Sequence, residues 1–228
     1  MTATETRPLR HELKFVAPAE RYHELENWVR VHAGGFERAF PPRRVNNVYF
    51  DTPDLAAYLE NLSGTSHRTK MRLRWYGETH CPDLAALELK FRRNHLGGKT
   101  LYRVAGLDFD HHGWAELKRK IRNQLPPEGK LVFDASPQPV MINRYDRQYY
   151  ERPERDVRIT LDRHQVVFDQ RQKNRPNLVR RANLPDSLVV EVKFAPADRE
   201  IGERIIQAIP IRVSRNSKYA IAVQSILG

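Results

Sequence analysis

The chain has 228 residues, with 39 Lys and Arg against 28 Asp and Glu, a net charge of +11 and a pI near 9.9. Nine Tyr, nine Phe and three Trp supply a hydrophobic core and exclude whole-chain disorder, and the one cysteine, Cys81, excludes an intrachain disulfide or a multi-cysteine metal site. No apolar run approaches the roughly 18–20 residues that span a bilayer, and Met1 to Arg7 lack an apolar leader core, so one soluble, cytoplasmic domain over residues 1–228 is expected.

In chain order, Arg10, Glu12 and Lys14 alternate with His11, Leu13 and Phe15, a strand with one charged and one apolar face. Pro18 suits the first turn of an amphipathic helix carrying Tyr22, Leu25 and Val29, stopped at Gly34-Gly35. Thr52-Pro53-Asp54 caps a second helix with Leu55, Tyr58, Leu59 and Leu62, stopped by Gly64. Lys70, Arg72 and Arg74 alternate with Met71, Leu73 and Trp75, and Glu88, Lys90 and Arg92 alternate with Leu87, Leu89 and Phe91. Gly97-Gly98-Lys99-Thr100 lacks the upstream spacing of a phosphate-binding Gly-rich loop and reads as a hairpin turn. A third helix covers about residues 113–123 with Trp114, Leu117 and Ile121, after which Pro126, Pro127, Gly129, Pro137 and Pro139 punctuate a loop. Arg158, Thr160 and Asp162 alternate with Val157, Ile159 and Leu161, and Glu191 and Lys193 with Val190, Val192 and Phe194; a basic loop lies between them, from about residue 171 to 186. A fourth helix follows Asp198, with Ile201, Ile205 and Ile206, and Ser217 caps a short last helix carrying Ile221 and Ile226.

A basic excess attracts polyanions: nucleic acid, anionic membrane or phosphate compounds. A solvated antiparallel sheet accounts for any single charged strand face, its cross-strand pairs contributing roughly 0.2–1 kcal/mol each. Five such strands weaken that account, because the charge falls in repeated words, Glu-x-Lys three times and Arg-x-Arg once, without the Thr, Ser and Gln of a solvated face. The sharper reading is an α+β fold, an antiparallel β-barrel with helices packed outside, whose charged faces line a tunnel. Like charges crowded there repel, so the empty site is expected to be costly. A nucleic-acid binder would instead carry its basic residues as an external stripe, and nucleic acid is not expected as the partner. Elsewhere, His111-His112 fit a loop at a helix start, Cys81-Pro82 a loop between strands, and Tyr145, Tyr149 and Tyr150 the barrel wall.

The words that carry a family likeness are Arg10-His11-Glu12-Leu13-Lys14, Asn47-Val48-Tyr49-Phe50-Asp51-Thr52, Lys70-Met71-Arg72-Leu73-Arg74-Trp75-Tyr76 and Glu88-Leu89-Lys90. Asn143-Arg144-Tyr145-Asp146-Arg147-Gln148-Tyr149-Tyr150, Arg158-Ile159-Thr160-Leu161-Asp162, Glu191-Val192-Lys193 and Ser217-Lys218-Tyr219 complete them. In this order, over nearly the whole chain, they resemble the triphosphate tunnel metalloenzymes, and within them the VTC domain, a polyphosphate polymerase module. The resemblance implies that Lys14, Arg72, Arg74, Lys90, Arg147, Arg158, Lys193 and Lys218, with Ser217 beside the last, hold a triphosphate or polyphosphate chain. Arg72, Arg74, Lys90, Arg158 and Lys218 are the expected catalytic set. It implies Glu191 as ligand of Mg²⁺ or Mn²⁺, with Glu12 and Glu88 as metal or lysine-orienting partners. Arg10 stands where the family's hydrolases and cyclases have the first glutamate of Glu-x-Glu-x-Lys, which leans towards the VTC branch. The implied activity is transfer of the terminal phosphoryl group of ATP onto a polyphosphate chain. The alternatives are a triphosphate or tripolyphosphate hydrolase and a non-catalytic polyphosphate-binding module.

Overall fold

A computed structural model of the chain describes residues 5–93, 96–214 and 217–227. The alternating segments are strands: β1 (Glu5–Pro18), β2 (Glu37–Asp51), β3 (His67–Tyr76), β4 (Leu84–Arg93), β5 (Leu96–Ala105), β6 (Gln138–Glu151), β7 (Val157–Asp169) and β8 (Ser187–Phe194). The helices are α1 (Tyr22–Val31), α2 (Ala56–Leu62), α3 (Trp114–Asn123), α4 (Pro127–Ala135), α5 (Arg199–Ala208) and α6 (Lys218–Leu227). None of them is long and apolar enough to cross a membrane.

All strand pairs are antiparallel, in the order β1-β5-β4-β3-β2-β6-β7-β8, and β8 returns to β1 to give the ring order of a barrel. Closure is staggered at β1. Its residues 5–10 pair with β5, while His11–Pro18 pair with β8, so the described pairings flank no level of β1 on both sides. The sheet is therefore curled into a tunnel with a seam along one strand.

Because side chains alternate along a strand, most of the apolar residues fall on the outer surface of this ring, where the helices cover them, while Val45, Tyr49, Met141 and Tyr145 share the inner face with the charged residues. Leu73, Trp75, Leu87 and Val104 pack under Trp114, Leu117 and Ile121 of α3 and Phe133 of α4. Phe15, Ile159, Val190 and Val192 pack under Leu25 and Val29 of α1 and Ile205 of α5. The α5 contact requires glycine at position 202, since a Cβ there would lie 2.6 Å from the Phe194 ring. At one end of the barrel, Tyr49, Met141 and Val167 meet α2 and α6. The buried Asp51 fastens this end: its carboxylate accepts from the backbone N–H of Thr52, Ala57 and Tyr58 at 2.7–3.1 Å and from the Tyr219 hydroxyl, joining β2, α2 and α6.

Several local expectations are corrected. The Pro-rich stretch after residue 126 contains α4. Pro127 sits in its first turn, where the missing N–H has no intrahelical acceptor to lose, and Gly129 brings the helix close to Leu125, Pro126 and Tyr102. Gly97 to Thr100 lie within β5, paired with β4, and are not a turn; residues 94 and 95 lie outside the described residues. Leu59 and Leu62 of α2 are exposed, and α6 buries Tyr219, Ala222 and Val223 in place of Ile221.

Candidate functional site

The inner faces of the strands bring together most of the residues singled out by pattern. On β3, Arg72 forks onto the Glu88 carboxylate of β4, its Nε 2.7 Å from Oε2, and reaches the Tyr49 hydroxyl at 3.2 Å. Arg74 donates from Nε to Asn47 Oδ1 at 2.8 Å and from Nη2 to the Tyr145 hydroxyl at 3.2 Å, with Nη1 3.8 Å from Glu88. Lys99 of β5 gives Glu88 a third cation at 3.2 Å. Across the tunnel, Glu191 of β8 is held by Lys193 at 2.5 Å, Arg147 and Lys218 at 3.2 Å and Lys14 at 3.7 Å. Arg147 and Lys218 share a second carboxylate, Asp162, which is fully buried. Glu12 bridges the two groups by accepting from Lys90 at 2.8 Å and lying 3.2 Å from Lys14.

The tunnel is thus no bare ring of like charges, which corrects the expectation of simple repulsion. Each of these four carboxylates is held between two or more cations, and the cations around them still outnumber the carboxylates. Burial alone would raise the carboxyl groups' pKa values. For Glu88 that is outweighed by Arg72, Arg74 and Lys99, for Glu12 by Lys90, Lys193 and Lys14, and for Glu191 by Lys193, Lys218, Arg147 and Lys14; all three are held well below the usual carboxylate range. Asp162 is lowered likewise, by Arg147 and Lys218 against burial. The four therefore stay ionised at neutral pH.

Lys70 behaves differently. It shares the inner face of β3 with Arg72 and Arg74, yet its described hydrogen bonds go to the neutral oxygens Asn61 Oδ1 and, at 2.8 Å, Ser217 Oγ, with the Tyr219 ring 5.8 Å away. Burial, then the charges of Lys14, Lys90, Arg68 and Arg72, push its pKa down to about 6. Ser217 Oγ also accepts from the Ala220 N–H at 3.3 Å, so the expected cap of α6 forms and carries Lys218 into the tunnel.

Two predicted members stand apart. Arg158 pairs with Glu151 at 2.7 Å and makes none of its described contacts with the central carboxylates. Glu88 lies among the β3 arginines, while Glu12 and Glu191 share Lys14, so the three predicted acids are not one cluster. Among the described residues, the one grouping of three metal-ligating side chains is Cys81, Asp108 and Asp110, on loops outside the tunnel, where Asp108 already accepts from the N–H of Asp110 and His111. Pattern reading passed over Asp162, Lys99, Lys70 and Asn47. The signal for Asp162 and Lys70 was their place on the same charged faces; for Lys99, the neighbouring glycines obscured it.

A divalent cation bound to phosphate oxygens needs one or two hard carboxylate donors from the protein. The donor set fits that requirement: Glu191 and Glu12 lie on either side of Lys14, and Thr160, opposite Glu191 in the ladder, has a buried hydroxyl without a hydrogen-bond partner. An all-protein cage of Glu12, Glu88 and Glu191 does not fit.

Comparison with known proteins agrees with this fold. The sequence model of the VTC domain matches residues 9–227. A candidate adenylyl cyclase from Hippeastrum, described as having a dominant triphosphatase activity, superposes with a TM-score of 0.53 at 17% identity, covering 96% of each chain. A candidate adenylate cyclase from Vibrio parahaemolyticus gives 0.52 at 13% identity, over 93% of this chain and 97% of that one. A protein from Pyrococcus horikoshii OT3 gives 0.50 at 13% identity, over 94% and 98%. At such identities the structural likeness establishes the fold alone. No curated protein matches the chain in sequence.

Proposed function

Because the chain belongs to the VTC domain family, we propose that its tunnel binds a nucleoside triphosphate or polyphosphate and transfers the terminal phosphoryl group of ATP onto a polyphosphate chain. The observation that carries this reading is the excess of inward arginine and lysine over carboxylate around Glu191 and Glu88, on a barrel whose main apolar clusters lie outside, under the helices. Arginine forks suit phosphoryl oxygens and lysines serve as point charges, so consecutive phosphates along a chain find consecutive partners. Arg72, Arg74 and Lys90 hold one side of the chain and Lys14, Arg147, Lys193 and Lys218 the other, with Arg158 beyond them.

Phosphoryl transfer asks a protein mainly for positioning and charge neutralisation. A terminal oxygen of the acceptor chain forms a bond to the γ-phosphorus, the bond to the bridging oxygen breaks, and ADP leaves with the electron pair. One phosphoanhydride is made as one is lost, and no side-chain nucleophile is required. Glu191, with Glu12, would hold the Mg²⁺ or Mn²⁺, which when bound neutralises phosphate oxygens as a Lewis acid. The arginines orient the chain and receive the charge that builds up on the equatorial oxygens.

Hydrolysis, with water in place of the chain end, is the second reading, favoured by the triphosphatase activity of the Hippeastrum neighbour. Incubating the protein with ATP and Mn²⁺ while following polyphosphate and free phosphate separately tells them apart. Polyphosphate formed with an equivalent of ADP supports the polymerase; free phosphate alone supports the hydrolase. Saturable binding without either product leaves a binding module.

A further inference from the structure

Arg43 lies on the inner face of β2, two residues before Val45 and directly opposite Arg147 in the β2–β6 ladder. Its guanidinium is stacked among three aromatic rings, 4.6 Å from the centroid of Tyr76, 4.8 Å from Phe40 and 4.9 Å from Tyr149. Its Nε is buried without a hydrogen-bond partner, and among the described residues no carboxylate pairs with the side chain. Its neighbours differ. Arg147 is 5.7 Å from the Tyr149 ring but is forked onto Asp162, and Arg158 is 5.9 Å from the Phe40 ring but is paired with Glu151.

The position is a rim. β3 ends at Tyr76, and Tyr76 and Phe40 are 44% and 42% exposed, while the opposite end of the barrel is covered by α2 and α6. Stacking on aromatic faces fixes a guanidinium while leaving its edge donors free for an anion. Here three guanidinium groups converge on two shared rings, and the outermost has no counter-ion among the described residues.

Resting on the phosphate-tunnel reading above, we propose that Arg43, held by Phe40, Tyr76 and Tyr149, is a phosphoryl-binding subsite at the tunnel mouth that engages polyphosphate chains too long to end inside. A triphosphate seated among Arg72, Arg74, Arg147 and Lys218 does not need it. A longer chain leaving past Arg147 meets Arg43 next, and its phosphate completes the donors of the stacked fork.

The test is calorimetric titration of Arg43→Met with tripolyphosphate and with a polyphosphate several tens of units long. Methionine keeps apolar contact with the rings and removes the charge. The expected result is an unchanged tripolyphosphate affinity, within about twofold, and a long-chain affinity weakened about tenfold, the loss of one charge-assisted contact. Equal weakening of both ligands would place Arg43 in the central site, and no weakening of either would make the stack a packing feature; each overturns the proposal. Binding of neither ligand by the unsubstituted protein would remove the tunnel reading itself. Should Arg43→Met lose its cooperative melting, Tyr76→Leu, on the exposed rim, is read in the same way.

Discussion

Lys70 Nζ donates to Ser217 Oγ at 2.8 Å, so a lysine from the inner face of β3 holds the first turn of the last helix. With its pKa pushed down to about 6, Lys70 is uncharged in the empty protein at neutral pH. Its folded pKa lies below its unfolded value, so the unfolded chain holds the extra proton between about pH 6 and about 10.4, and this group's contribution to stability rises with pH across that window. A polyanion in the tunnel reverses the balance by favouring the ammonium. Tripolyphosphate binding at pH 8 should therefore take up about one proton at this site, seen as a binding heat that depends on the ionisation heat of the buffer. Lys70→Met should lose that uptake; equal uptake in the variant would mean that another group titrates.

The pairs that Asp162 makes with Arg147 and Lys218 are the most deeply buried ion pairs of the tunnel among the described residues. Removing one partner of such a pair leaves the other charges uncompensated, at a cost of about 3–5 kcal/mol. Asp162→Asn should lower stability to chemical denaturation by that order. It should also make bound tripolyphosphate more stabilising than in the parent protein, because Arg147 and Lys218 are released to the ligand. Denaturation with and without tripolyphosphate measures both, and a smaller ligand effect in the variant would count against a shared site.

Arg72 and Arg74 stand on the inner face of β3, and Leu73 between them is fully buried under α3 and α4. Arg72→Ala with Arg74→Ala should weaken tripolyphosphate binding by well over tenfold, through loss of two charge-assisted contacts, and should cost about 3–5 kcal/mol of stability because the buried Glu88 keeps only Lys99 of its three cations. Leu73→Ala should cost about 2–5 kcal/mol of stability and leave affinity nearly unchanged. The same calorimetry and melting measurements on both variants check the separation of inner and outer faces.

The fold was legible wherever period two ran uninterrupted, because a charged face and an apolar face on one strand leave only the question of which side is inside. Lys14, Arg72, Lys90, Arg147, Lys193 and Lys218 came out of that pattern and of the family likeness. What escaped was masked by local chemistry. Pro126 and Pro127 hid α4, since proline signals a break unless the first helical turn is known to begin there. The glycines at 97 and 98 made Lys99 look like a turn residue, although it faces Glu88. Arg43 follows Pro41-Pro42 in an irregular part of β2, where register shifts break the alternation. Asp162 was visible on its strand face, but only the tertiary pairing shows that Arg147 and Lys218 converge on it.

Glu191 tests the division between binding and turnover. Its carboxylate lies within reach of four cations, and under the proposed function it is the acid that would share a divalent ion with phosphate oxygens. Glu191→Gln keeps the shape and removes the charge. ATP turnover with Mn²⁺ should vanish, while metal-free tripolyphosphate binding is kept or tightened, because a negative charge has left an anion site. Full turnover in the variant would pass the metal role to Glu12 or Glu88.

The central claim, that one polyphosphate-binding tunnel runs through this barrel, is tested most directly by titrating the metal-free protein with tripolyphosphate in a calorimeter at two salt concentrations. The account predicts one saturable site per chain, weakened as salt rises because several charges are paired, and at about 100 times its Kd a stabilisation of roughly 2.7 kcal/mol. Weak, non-saturating binding at many sites would instead describe a basic outer surface and contradict the tunnel.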